Sequence, residues 1–306
     1  MASTYRFFSR RLLCLLAAAA LTACHHVPLL DPKGPIGEVN RFVILAALAL
    51  MQIVVIPVII MVIWFPRKYR ATNTQATYSP KWSYSKKIDL TIWLVPVAII
   101  IVLGTLSWIT THRLDPYKPI EPGIKPLRIN AVALDWKWLF IYPDHGIATV
   151  NQLIFPANVP LSFELTSDAV MSSFFIPQLG SQIYAMAGRR TRLHLMANEP
   201  GTYAGHNQQF SGKGYADMHF KAIATTPEEF EAWIQEARQS ADTLDLARYE
   251  KLEQPSTGYP VTNFSAVKPD LFDYIIEKYR YGDEKSGAVS EDPAAPPIKT
   301  VALEGR

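Results

Sequence analysis

Phe42 to Phe65 reads FVILAALALMQIVVIPVIIMVIWF, an unbroken run of 24 residues without a charge. A helix of about 20 such residues crosses the roughly 30 Å hydrocarbon layer of a bilayer, so the stretch predicts a transmembrane span over 42–65. A second uncharged run of 20 residues, Leu90 to Ile109, predicts another span over 89–111. Each central Leu, Ile, Val or Phe favours insertion by about 0.3–0.6 kcal/mol, which outweighs Gln52, Pro57 and Pro96. Two buried helices of a soluble protein are the alternative, and the lengths argue against it.

Outward from these spans, charge sets direction. The loop 66–88 carries Arg67, Lys68, Arg70, Lys81, Lys86 and Lys87, with no acidic residue before Asp89. The positive-inside rule places that loop in the cytoplasm and both chain ends outside, with Trp64 and Trp108 in the interfacial aromatic belts. Residues 1–23 carry Arg6, Arg10 and Arg11, then an apolar stretch, the layout of a secretory signal peptide. The signal closes on Leu21-Thr22-Ala23-Cys24, which resembles the lipobox of bacterial lipoproteins. That resemblance implies cleavage before Cys24, a lipid on its sulfur, and an exported segment over 24–41; a plain signal with an incidental cysteine is the alternative. Cys14 and Cys24 are the only cysteines, and Cys14 leaves with the signal, so the mature chain forms no internal disulfide. The three signal arginines are also lost, which leaves 27 basic against 27 acidic residues and gives no support for a nucleic-acid surface.

Beyond the second span, residues 126–225 show short alternating segments such as Leu161-Phe163-Leu165 and Met218-Phe220-Ala222. Pro143, Pro156-Ala157-Asn158, Gly180 and Glu199-Pro200-Gly201 punctuate them, as in an antiparallel sandwich or Greek-key barrel. A helical region over 226–285 follows. Thr226-Pro227-Glu228-Glu229 fits a capping box, with Phe230, Trp233, Ile234 and Ala237 on one face. A second helix is expected near Leu244–Leu252 and a third from Pro269-Asp270, while the Pro-rich tail 286–306 is expected to be disordered.

Two spans followed by a β domain resemble subunit II of the haem-copper oxidases, and particular segments carry the match over about residues 29–280. DWKWLFIYP (Asp135–Pro143) is similar to the aromatic segment that opens this family's cupredoxin domain. VMSSFFIPQLG (Val170–Gly180) resembles Val-x-His-Ser-x-x-x-Pro-x-x-Gly of the copper-bearing members, with Ser172 where histidine would stand. GTYAG (Gly201–Gly205) leads into NQQFSGKGYADM (Asn207–Met218), aligned with the family run Cys-Ser-Glu-x-Cys-Gly-x-x-His-x-x-Met. Asn207 and Ser211 thus replace the cysteines, Gln209 the glutamate and Tyr215 the histidine, and only Met218 remains. A dinuclear copper A centre needs bridging thiolates, which hydroxyl and carboxamide groups do not replace. LDPKGPIG (Leu30–Gly37), GSQIYAMAG (Gly180–Gly188) and VKPDLF (Val267–Phe272) bring the resemblance closest to the cytochrome bo-type ubiquinol oxidase branch.

The resemblance implies a two-helix transmembrane hairpin plus an all-β cupredoxin-like domain with C-terminal helices, in the bacterial inner membrane with the domain in the periplasm. It implies a structural subunit that binds no cofactor itself. Its partners would be a subunit I holding haem b, haem o and one copper, subunits III and IV, membrane lipid, and ubiquinol as the substrate of the complex. Asp89 stands where the family has a glutamate lining a proton entrance; an interfacial carboxylate beside Lys86 and Lys87 is the alternative, and both stay open. Trp136, Trp138, Phe140 and Tyr142 share one parity, which suits either a contact surface towards subunit I, the preferred reading for the two tryptophans, or the domain's own core. His25, His26, His112, His145, His194, His206 and His219 show no ligand spacing, His206 and His219 lying thirteen apart without a cysteine between them. Met218 is expected to fill core space. Competing readings are a cytochrome c oxidase subunit II, disfavoured by the missing ligands, and an envelope lipoprotein serving as a binding module.

Overall fold

The structure is a computed structural model that describes residues 27–77, 79–121 and 123–286. The expected signal peptide, Cys24, His25, His26 and the tail from 287 onward lie outside the described residues.

After a 3₁₀ turn at Pro28–Leu30, helix α1 spans Pro35–Lys68 and helix α2 spans Lys86–Arg113. Both are long and apolar enough to cross a membrane. At 1.5 Å per residue, the 34 residues of α1 extend about 51 Å, well past the hydrocarbon layer. The helix starts seven residues before the uncharged run because Pro35 sits at its first position with φ already suited to a helix, behind an extended Gly34. Asp89 lies in the first turn of α2, exposed, where a helix N-terminus favours a carboxylate.

The β domain has two sheets. One contains β1 (Leu127–Leu134), β2 (Lys137–Tyr142), β3 (Ile147–Val150), β5 (Leu161–Ser167), β8 (Thr191–Leu195) and β11 (Thr262–Phe264), in the order β11-β3-β2-β1-β5-β8. The other contains β4 (Gln152–Pro156), β6 (Ser172–Phe175), β7 (Ile183–Ala185), β9 (Gly201–Asn207) and β10 (His219–Thr225), in the order β4-β10-β9-β6-β7. The ladders are not all antiparallel as the alternation suggested. β1 pairs with β5, and β4 with β10, in parallel, because the chain changes sheets between β3 and β4 before returning.

Two cores result. Between the sheets, Trp138, Phe140, Phe163, Phe174 and Phe220 interlock, with ring centroids 5.0 Å apart for Phe140 and Phe220 and 5.3 Å for Trp138 and Phe174. Such edge-on pairs add about 0.5–1.5 kcal/mol each beyond area burial. Tyr142 closes one end: its hydroxyl donates to the Ile154 carbonyl at 2.8 Å and accepts from the Ile154 N–H at 2.9 Å. On the outer face of the larger sheet, Val132, Leu139 and Ile141 pack against Tyr249, Leu252, Leu271 and Ile275. These come from helices α4 (Leu246–Leu252) and α5 (Leu271–Ser286). Helix α3 (Pro227–Ala237) carries the expected capping box, with Thr226 Oγ1 accepting from Glu229 N–H and Glu229 Oε2 from Thr226 N–H.

Strand β2 is therefore covered on both faces, and this corrects the sequence expectation for Trp138. Its side chain is fully enclosed between the sheets and offers nothing to a partner. A period-two stripe tells which residues share a face, not whether that face meets solvent, a helix layer or a second sheet.

Candidate functional site

The segment Asn207–Met218 joins β9 to β10 at one end of the sandwich, and its conformation is set by hydrogen bonds from residues that could otherwise have been ligands. Asn207 is buried. Its Oδ1 accepts from Ser173 N–H at 2.8 Å and Gln209 N–H at 3.0 Å, while Nδ2 donates to Ser211 Oγ and Met218 Sδ, each at 3.2 Å. Ser173 Oγ accepts from Gln208 N–H at 3.1 Å. Ser172 is buried, its hydroxyl directed to the Val170 carbonyl at 3.4 Å. The structure thus brings Asn207, Ser211 and Met218 together around one carboxamide, with Ser172 and Gln209 alongside in sequence. Tyr215 sits in a 3₁₀ turn, its ring 5.7 Å from that of Phe210. Carboxamide and hydroxyl donors that satisfy one another do not form the thiolate and imidazole set that a dicopper centre requires.

Trp136 occupies the two-residue turn between β1 and β2 at φ 64°, a conformation that costs a bulky residue energy and must be held from outside. The loop holds it. Its indole Nε1 donates to the Ser211 carbonyl at 2.8 Å, and its ring covers Gly212 and Gly214, where any Cβ at Gly214 would run into the indole. The half-buried ring thus serves the 207–218 loop. Trp136→Ala is expected to speed amide hydrogen exchange across 208–217 while β2 stays protected; unchanged exchange there would refute the clamp.

Lys137, next in sequence, is fully buried and donates from Nζ to the Gln254 carbonyl at 2.8 Å and Ser256 Oγ at 2.7 Å. Burial holds its ammonium down to about 8. The opening aromatic segment is thereby tied to the 207–218 loop on one side and to the C-terminal region on the other.

Three features escaped the sequence reading. Phe210 leaves 73% of its surface exposed in the 207–218 loop, and Val170 and Met171, just before β6, are exposed too, apolar surface that alternation could not reveal because these residues lie outside strands. Asp168, at the end of β5, has a side chain with no exposed surface and accepts from Tyr249 Oη and Lys278 Nζ. His206 and His219 face each other across β9 and β10. Burial, and then the neighbouring His219, keep the His206 imidazole below its ordinary value.

The approach of α1 to the domain is tight. Lys33 N–H donates to the Gln178 carbonyl at 2.7 Å, Gly37 N–H to the Leu179 carbonyl at 3.1 Å, and Asn198 N–H to the Lys33 carbonyl at 2.8 Å. Lys33 Nζ pairs with Glu199 at 2.6 Å. These bonds fasten the strap 31–37 to the loops after β6 and β8.

Residues 145–224 match the family described as "Cytochrome C oxidase subunit II, periplasmic domain", and residues 238–282 match the "COX Aromatic Rich Motif". The chain is 53% identical over 268 residues to cytochrome bo(3) ubiquinol oxidase subunit 2 of Pseudomonas putida, covering 88% of this chain and 85% of that one. It is 49% identical over 290 residues to the protein of the same name from Pseudomonas aeruginosa, covering 94% and 87%. Ubiquinol oxidase subunit 2 of Acetobacter aceti is 50% identical over 269 residues, covering 87% of each chain. With a membrane hairpin, a two-sheet domain of that family and similarity across nearly the whole length, the chain belongs to the haem-copper oxidase subunit II family, in the group of cytochrome bo(3) ubiquinol oxidase subunit 2.

Proposed function

We propose that this chain is the structural and assembly subunit of a proton-translocating ubiquinol oxidase and carries no redox centre itself. One observation carries the reading. The positions that supply copper A ligands in related subunits hold Ser172, Asn207, Ser211 and Tyr215, while the only cysteines, Cys14 and Cys24, precede the first span. Ubiquinol, a lipid-soluble donor, reaches a haem-bearing subunit I from within the membrane, so the exported domain needs no electron relay. Haem b, haem o and one copper reside in subunit I, and subunits III and IV complete the particle.

In this arrangement the loop 66–88 is cytoplasmic, the domain is periplasmic at the inner membrane, and a lipid on Cys24 adds a further anchor. Asp89, exposed at the start of α2, gathers protons at the cytoplasmic rim. The exposed apolar side chains of Val170, Met171 and Phe210, rather than the enclosed Trp138, offer contacts towards subunit I.

Purification in mild detergent tests this. The particle containing the chain is expected to show both haems and a single copper, and cells lacking only this chain are expected to accumulate little haem-containing particle. Two further coppers that follow this chain, or normal ubiquinol oxidation without it, would overturn the proposal.

A further inference from the structure

We propose that His206 and His219 together form a surface site for a divalent first-row transition ion, with Zn²⁺ as its probe. Their thirteen-residue separation suggests nothing, but the register of β9 against β10 sets them directly opposite. The ladder bond from Asn207 N–H to the Met218 carbonyl, 3.2 Å, lies one step along. The His206–His219 pair therefore occupies a position of the non-hydrogen-bonded type, where Cα atoms are about 4.5 Å apart and side chains lie closest. Both project from the outward face of the sheet, since the alternate positions Gly205, Asn207, Met218 and Phe220 are the buried ones. Two imidazoles at that spacing reach one ion at the usual 2.0–2.1 Å without moving the backbone.

The pair lines an open depression that also presents the Gln208 carboxamide and the Tyr215 phenol, with water able to complete a four-coordinate shell. Lys221, two residues along the same face and opposite Ala204, adds a repulsive charge and limits the site to modest affinity. No cluster of three or more His, Cys, Asp or Glu exists among the described residues, so the two imidazoles supply the protein's strong donors. The two imidazoles are not among the positions aligned with copper ligands, although Asn207, Tyr215 and Met218 of that set line the same depression, and the site does not depend on the assembly role.

The test is equilibrium dialysis of the untagged, purified oxidase against micromolar Zn²⁺, with zinc counted by elemental analysis. One saturable zinc per copy of this chain is expected in the parent particle and in His145→Gln. His206→Gln and His219→Gln should each weaken its retention by at least about the 10–100-fold that loss of a mere supporting partner costs a metal site. Normal haem spectra in both variants would show that the particle is intact. Absence of saturable zinc in the parent, or zinc that persists unchanged in both variants, would overturn the proposal.

Discussion

Replacing Asp168 by alanine is expected to loosen helices α4 and α5 from the sandwich and lower domain stability by about 3 kcal/mol. Breaking a buried ion pair costs about 3–5 kcal/mol because the remaining partner loses its compensation. Here Lys278 keeps 36% of its side chain in solvent and rehydrates once the carboxylate is gone, which places the loss at the lower end. The Tyr249 hydroxyl, deeply buried, has no such escape. Asp168 Oδ1 lies 3.0 Å from Lys278 Nζ, which also meets Glu253 at 2.8 Å, so one carboxylate fastens both helices to the end of β5. Proteolysis is expected to cut first between α3 and α5 in the variant, and thermal unfolding to begin several degrees earlier; an unchanged melting profile would refute the clamp.

The same network sets a pH dependence. Burial, and then the Asp168 carboxylate, push the Tyr279 phenol up to about 12, and Tyr249 rises for the same reasons. Burial pulls Lys278 down, but its bonds to Glu253 and Asp168 outweigh that and raise it. An unfolded tyrosine loses its proton near pH 10 and an unfolded lysine near 10.4, while the folded groups still hold theirs. The unfolded chain then binds fewer protons, so this stabilisation is complete below about pH 10 and is lost as pH climbs through the folded values. Asp168→Asn is expected to make the alkaline decline shallower.

Much of the architecture could be read before any coordinates. The spans followed from uncharged runs longer than any buried helix needs, and the capping box at Thr226 from local chemistry that acts within four residues. Long-range pairing could not be read in that way. The alternation in β2 is identical whether its two faces meet solvent, helices or another sheet, and only the packing of the second sheet, with Phe174 and Phe220, over that face decides that Trp138 is enclosed. The same holds for His206 and His219, whose opposition is a property of the β9–β10 register. Nothing in the local sequence marks Asp168, because its partners lie 81 and 110 residues away.

Gly34→Val is expected to release the strap 31–37 from the domain and reduce recovery of the assembled oxidase. A Cβ at Gly34 would fall on the Met196 carbonyl oxygen and within 3.0 Å of the Leu179 carbonyl oxygen, both backbone atoms that cannot swing aside. Overpacking of this kind costs about 1–3 kcal/mol. Relieving it by lifting the strap surrenders the bonds Lys33 to Gln178, Gly37 to Leu179 and Asn198 to Lys33, at about 0.5–1.5 kcal/mol each. These costs are alternatives, not a sum, so the docked arrangement loses about 1–3 kcal/mol, and 3 kcal/mol is roughly a hundredfold in the docked-to-free ratio. The domain would then hang from α2 by the linker 114–126, where His194 Nδ1 pairs with the Pro116 carbonyl at 3.0 Å, and would no longer be held at a set angle to the spans. Gly123→Ala supplies the control, since a Cβ there meets nothing within 4 Å. Protease sensitivity of the linker should rise and the yield of haem-containing particle fall in Gly34→Val alone. Equal yields for the two variants would mean that the angle between domain and spans is set by the partner subunits and not by this strap.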